Sequence, residues 1–139
     1  MNKSRRRAYV DENVILRWLL GEPEPQALAA QRLFDRAAEG QVTLMIHSTV
    51  LAEVIYVLTS PRLGGHARDR VSNVLRDLLG LEGVEMVDLD VTLRALRAFE
   101  QTHLDWVDCL LLAYGPDAPV YTFDQDMVRL GGIIPPGAV

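Results

Sequence analysis

Four acids occupy positions where a carboxylate invites a chemical explanation. The apolar run Ala8-Tyr9-Val10 ends on Asp11, and Val120-Tyr121-Thr122-Phe123 ends in the same way on Asp124. In an open α/β sheet, chemistry gathers in the crevice outside the carboxyl ends of the strands, so both are candidate ligands or catalytic groups. Glu53 lies in a stretch, Val50 to Leu58, that is otherwise almost wholly apolar. With Thr49 and Tyr56 it forms one narrow polar stripe at i, i+4 and i+7 of a helix. A buried charge is costly unless it is paired or bound to a cation, which marks Glu53 as functional. In Asp105-Trp106-Val107-Asp108, Asp105 as N-cap puts Asp108 three residues into the helix, a capping-box-like spacing at the positive end of the dipole. Capping alone accounts for Asp105. For Asp124, with Asp126 close by, a helix cap is the competing explanation.

Convergence of the four has a physical consequence. Carboxylates about 5 Å apart repel by roughly 3 kcal/mol per pair at an effective dielectric near 20, on the order of 20 kcal/mol over six pairs. Ordinary fold stability does not carry that load, so protons or cations must sit among them. Hard oxygen ligands without His or Cys select Mg²⁺, with Mn²⁺ as the alternative, over zinc. The chemistry expected is metal-assisted phosphoryl transfer, with a metal-bound water as nucleophile and the acids holding the ion.

Short apolar strands alternate with helices along the chain and supply the frame. Strands are expected at 8–10, 42–46, 84–87 and 119–123, with a fifth at 132–134. Helices are expected at 13–20, from Pro23 or Pro25 to 39, from Ser48 or Thr49 as cap to 59, and at 67–79. Further helices are expected at 93–101, opened by Asp90 or Thr92, and from Asp105 to about 114, followed by a short one from Asp124. The run Cys109 to Ala113 suggests that the helix carrying Asp108 is deeply buried. The alternation predicts an α/β fold, a three-layer α/β/α sandwich with a central, mostly parallel sheet of four to five strands. The 139 residues fit one domain, with 1–7 as a flexible basic tail.

Composition narrows the function classes. The net charge of −5 gives no global basic field, so gripping a polyanion requires local patches or metal ions. Every basic residue except Lys3 is Arg, whose planar fork matches phosphate. Cys109 is the only cysteine, which excludes an intrachain disulfide framework and favours a reducing, cytoplasmic setting. Asp11 and Glu12 interrupt the apolar run a signal peptide would need, and no run approaches the roughly 20 apolar residues of a membrane span.

The sequence resembles the PIN-domain ribonucleases in four motifs. Asp11-Glu12-Asn13 is similar to the family's opening D-x-N, and Leu51 to Leu58 to its central Glu helix. Asp105 to Ala113 is similar to its third acidic motif, and Tyr121 to Asp126 to its fourth. The likeness runs from about Tyr9 to Ile134. It implies metal ligation and catalysis by Asp11, Glu53, Asp108 and Asp124, polar support from Asn13 and Thr122, and Asp126 as an auxiliary acid. In size and architecture the chain is most similar to the VapC-like toxins of type II toxin–antitoxin pairs. That likeness implies Mg²⁺-dependent endonucleolytic cleavage of RNA, a homodimer, and inhibition by a cognate antitoxin. Glu12 departs from the small hydroxylated residue usual at its position.

Arg62, Arg68, Arg70 and Arg76 make the segment 61–76 locally basic, and Arg62 and Arg68 are expected to contact RNA phosphate or an acidic antitoxin tail. His47, His66 and His103 share no ligand spacing, and Trp18 and Trp106 fit the core or an interface. Two non-toxin readings stay open, a PIN nuclease of RNA processing and a catalytically inactive RNA- or protein-binding PIN module. A haloacid-dehalogenase-type phosphatase is disfavoured, because Asn13 stands where that mechanism needs a second Asp as general acid.

Overall fold

The segment Val42 to Ile46 is buried at every position, the signature of a strand covered on both faces, and it forms the middle of a parallel sheet. The computed structural model describes residues 6–137. Strand β1 (Arg6–Tyr9) pairs in parallel with β2 (Val42–Met45), and β2 with β3 (Val84–Glu85), in the order β1-β2-β3. Arg6 stands opposite Val42 and Tyr9 opposite Met45, and Leu44 stands opposite Val84. Parallel neighbours need long crossovers. Here the crossovers are helix pairs, α1 (Glu12–Leu20) with α2 (Glu24–Ala38), then α3 (Ser48–Thr59) with α4 (Arg68–Leu79). After β3 come α5 (Leu89–Gln101), α6 (Trp106–Tyr114) and the short α7 (Gln125–Arg129).

The α/β class holds, but the sheet is smaller than expected. It has three strands among the described residues, not four to five. The segments 119–123 and 132–134 meet in one parallel bridge, Tyr121 with Ile133. Two backbone bonds carry it, from Thr122 N–H to Ile133 O and from Ile133 N–H to Val120 O. Pro119 lacks a donor at one end, and Gly131-Gly132 and Pro135-Pro136 crowd the other, so neither run sustains a ladder. β1 is accordingly an edge strand. It begins within the stretch expected to be a tail, because Arg6 and Arg7 belong to it; residues 1–5 of that expectation lie outside the described residues.

Helix boundaries follow the sequence closely, with three differences in capping. His47, not Ser48 or Thr49, caps α3, its ring nitrogen accepting from Thr49 N–H. Helix α5 starts earlier than expected, at Leu89, after Asp88 takes a left-handed conformation that short polar side chains tolerate. The Asp88 carboxylate accepts a 2.7 Å bond from the Tyr114 hydroxyl of α6, which holds the Tyr114 phenol above its ordinary pKa. The expected capping box at the start of α6 does not form, since Asp105 makes no side-chain cap bond.

The core joins Ile15, Leu44, Ile46, Leu51, Ile55, Leu75, Leu78 and Leu96. Both tryptophans belong to this interior rather than to an exposed stacking platform. Trp18 stacks on Phe34 at 4.4 Å, and Trp106 meets Phe99 edge-on at 6.0 Å.

Arg68 is placed differently from the phosphate contact expected of it. Its Nε donates to Phe99 O at 2.8 Å, its Nη2 donates to Leu104 O, and its guanidinium lies 3.6 Å from the Phe99 ring centroid. One side chain from α4 thus ties down the end of α5 and the turn leading into α6. Arg76 adds an ion pair from α4 to Glu100 at 3.0 Å. Arg68→Met keeps the apolar stem but strips two carbonyls of charged donors. It should cost about 2–4 kcal/mol in urea unfolding, and Arg68→Lys should not restore it. A loss below about 0.5 kcal/mol would show that the clamp does not matter.

Candidate active site

Asp11 sits where β1 hands over to α1. Val10 N–H still bonds to Met45 O, extending the ladder by one bond, and the chain then turns at Asp11 in an extended conformation. Asp11 Oδ1 accepts the Val14 N–H at 3.1 Å, so one oxygen caps α1. Asn13 follows in the first turn. With Asp11, Val14, Arg17, Gln26, Ala29, Ala30 and Leu33 it lines a cleft of about 480 Å³ between α1 and α2. Glu12 is half-buried and is not among the residues lining this cleft.

Glu53 keeps its stripe but not its expected burial. On α3 the fully exposed positions are Thr49, Glu53 and Tyr56, while Leu51, Val54, Ile55 and Leu58 are buried. The carboxylate is solvated because the stripe is the face of α3 left uncovered when the helix packs against α1 and α6. Those two helices carry Asp11 and Asp108.

Asp108 lies in the first turn of α6, which is less buried than expected: Trp106 and Cys109 are enclosed, while Val107 and Leu111 are exposed. Desolvation raises the Asp108 carboxyl above the ordinary aspartate value, and the negative charges of Asp105 and Asp124 raise it further. Asp124 is therefore among the charges that act on Asp108. Burial likewise pushes up the adjacent Cys109 thiol, consistent with an inert packing role.

Asp124 caps α7 with Oδ1, accepting from Asp126 N–H at 2.8 Å and Met127 N–H at 3.3 Å. Its own N–H donates to Thr122 Oγ1 at 3.0 Å, so Thr122 fixes the backbone at Asp124. Asp126 turns to its own helix and pairs with Arg129 at 3.1 Å.

The structure thus brings Asp105, Asp108 and Asp124 into one electrostatic neighbourhood and sets Asp11 and Glu53 on the elements beside it. It does not draw the acids into one coordination sphere: among the described residues, no three His, Cys, Asp or Glu side chains stand close enough to hold a metal ion together. Asp11 and Asp124 each commit one oxygen to a helix cap, and Glu53 is solvent-exposed. The donors are all hard oxygens, which fits Mg²⁺ or Mn²⁺ in kind.

Two features of the site were missed in the sequence. Asp105 contributes charge to Asp108, where the sequence suggested only a cap; the D-x-x-D spacing was the available signal. Arg17 enters the cleft beside Asp11, signalled by its place one helical turn after Asn13.

The raised Asp108 carboxyl carries a stability signature. In the folded state this group keeps its proton to higher pH than in the unfolded chain, so ionising it costs stability as pH rises through the carboxylate range. Asp108→Asn in metal-free buffer should raise the melting temperature at pH 7. The gain should vanish near pH 3, below the unfolded aspartate pKa of about 3.9. An equal gain at both pH values would trace the effect to packing rather than charge.

Comparison with protein-family profiles matches residues 8–133 to the PIN domain, a span that includes all four motif acids. No curated protein matches the chain at a significant level. PIN domains are generally nucleases, commonly metal-dependent. With the match covering nearly the whole sequence, the chain belongs to the PIN-domain family.

Proposed function

We propose that this PIN-domain protein is a Mg²⁺-dependent endoribonuclease that cleaves RNA phosphodiester bonds and acts as the toxin of a type II toxin–antitoxin pair. The observation that carries the reading is the placement of the acids within the PIN match. One ends β1, one lies on the exposed stripe of α3, one opens α6 and one opens α7, with the charge of Asp124 among those that raise Asp108.

In this reading Asp11, Glu53, Asp108 and Asp124 would hold the ion, which must draw them closer than they stand without it, and Mn²⁺ would be able to replace Mg²⁺. When bound, a divalent ion neutralises charge developing on the scissile phosphate and activates water as nucleophile. Asp11 keeps one oxygen free of its cap bond, Thr122 holds the backbone under Asp124, and Asn13 supplies an amide to the cleft. Asp126 remains an auxiliary acid, available when its ion pair with Arg129 opens. Tyr9, Tyr56 and Phe123 are 70%, 69% and 74% exposed and lie within three residues of Asp11, Glu53 and Asp124, suited to stacking unpaired bases. Arg62, exposed in the loop before α4, serves phosphate or an acidic antitoxin tail, whereas Arg68 is taken up by the carbonyls of Phe99 and Leu104.

No helix among the described residues is long and apolar enough to cross a membrane. Together with the lone buried Cys109, this supports placing the protein in the cytoplasm. Incubation of the free protein with total RNA should give discrete fragments in Mg²⁺ and none in EDTA. Asp11→Asn and Asp108→Asn should each lower the rate on the order of 10²-fold or more. Cleavage indifferent to EDTA and to both substitutions would sink the mechanism. Tight RNA binding without cleavage would support an inactive binding module instead.

A homodimer completes the proposal. Leu19, Leu20, Leu58, Val71 and Val74 line an apolar groove of about 200 Å³ between α1, α3 and α4, and Leu63 is exposed in the α3–α4 loop. An exposed apolar groove of this kind suits a second copy. Sedimentation should show a dimer that Val74→Arg converts to monomer, whereas an unshifted mass would move the interface elsewhere.

A further inference from the structure

The cleft between α1 and α2 begins at Asp11 and ends on a cation. Asn13 and Arg17 are one helical turn apart on the same face of α1, and both line it. Arg17 Nε donates to Gln26 Oε1 of α2 at 2.8 Å, which fixes the plane of the guanidinium. Its two Nη groups have no polar partner among the described residues. Ala29 and Ala30 form the opposite wall, and their small side chains leave the space open. The volume of about 480 Å³ lies in the range of small-ligand sites, roughly 300–1,000 Å³. From Asp11 to Arg17 the helix rises about 9 Å at 1.5 Å per residue, of the order of one nucleotide step along a strand.

We propose that this cleft is a nucleotide subsite: Arg17, braced by Gln26, binds a backbone phosphate of single-stranded RNA next to the scissile phosphate, and the space against Ala29 and Ala30 takes the attached nucleoside. The proposal rests on the nuclease reading for the position of the scissile bond. The physical case is the contrast among the arginines. Arg68 and Arg76 are committed inside the fold, whereas Arg17 is oriented through one nitrogen and presents the other two into a cleft that opens on a candidate ligand. A guanidinium held in this way loses less freedom when it forms a bidentate phosphate contact. The chain as a whole carries a net charge of −5, so a well-placed cation counts for more in where a strand can lie.

The test measures binding of a fluorescein-labelled, mixed-sequence 12-nucleotide RNA by anisotropy across a KCl series in Mg²⁺. The parent is Asp108→Asn, so that the probe survives. Adding Arg17→Gln should weaken binding about tenfold and reduce the slope of log K against log[KCl] by about 0.7, the share of one single-strand phosphate contact. Arg17→Lys should restore the slope but only part of the affinity. Gln26→Ala, which removes the brace and leaves the charge, should weaken binding with the slope intact, an outcome that general unfolding would not give. Unchanged affinity and slope in Arg17→Gln, or no binding by the parent, overturns the subsite. So does an Arg17→Gln protein that binds RNA normally but loses a Glu-rich 12-residue peptide, which would reassign the cleft to an acidic protein segment. Failure of the nuclease reading registers separately, as total-RNA cleavage that persists in Asp108→Asn.

Discussion

Repulsion between like charges governs this fold's functional edge. Several carboxylates placed near one end of a parallel sheet must be offset by something, and the backbone provides the first instalment. Asp11 and Asp124 each accept N–H groups at a helix start, and Asp108 lies in the first turn of α6. The partial positive charge of a helix N-terminus stabilises an anion there. Only Glu53, in the middle of α3, lacks such support; like Asp11 and Asp124 it is exposed to water. Asp108 is the half-buried one of the four, and desolvation together with the charges of Asp105 and Asp124 raises its carboxyl.

The arginines follow a complementary division. Those on α4 are used to assemble the helical layer that carries Asp108: Arg68 binds the carbonyls of Phe99 and Leu104, and Arg76 pairs with Glu100. Arg17 on α1 faces the cleft next to Asp11. Arginines in this chain therefore do two different jobs, and only contacts distinguish them. An arginine that fills carbonyl acceptors inside the protein cannot also offer its fork to a strand outside it.

How much was legible in the sequence depends on the range of the interaction. Period and capping are local, and they placed α1 to α4, α6 and the central strand within a residue or two. The polar stripe of Thr49, Glu53 and Tyr56 was equally local and stands as read. Whether that stripe faced the core was not, because burial depends on what packs against α3. The same limit explains Arg68, whose partners lie 31 and 36 residues away. It explains the missing strands too: Val120 to Phe123 has strand-forming side chains, but a strand exists only if a partner ladder accepts it. Asp105 looked like a cap because its spacing permits one, yet its side chain makes no cap bond and its charge acts on Asp108.

The pairing of Tyr121 with Ile133 has a consequence for how the acids move relative to one another. Asp11 is held by the β1–β2 ladder and Asp108 by a helix that Trp106 and Cys109 bury, whereas the segment bearing Asp124 is tied back by a single bridge and a five-residue helix. Weaker anchoring lowers the free energy of local opening, so this segment, pinned to the core by Met127, has more room to shift than the elements that carry Asp11 and Asp108. Amide exchange along 120–133 would be fast while β2 stays protected. Asp124 is in that sense the adjustable jaw of the site, and the other acids sit on the fixed one.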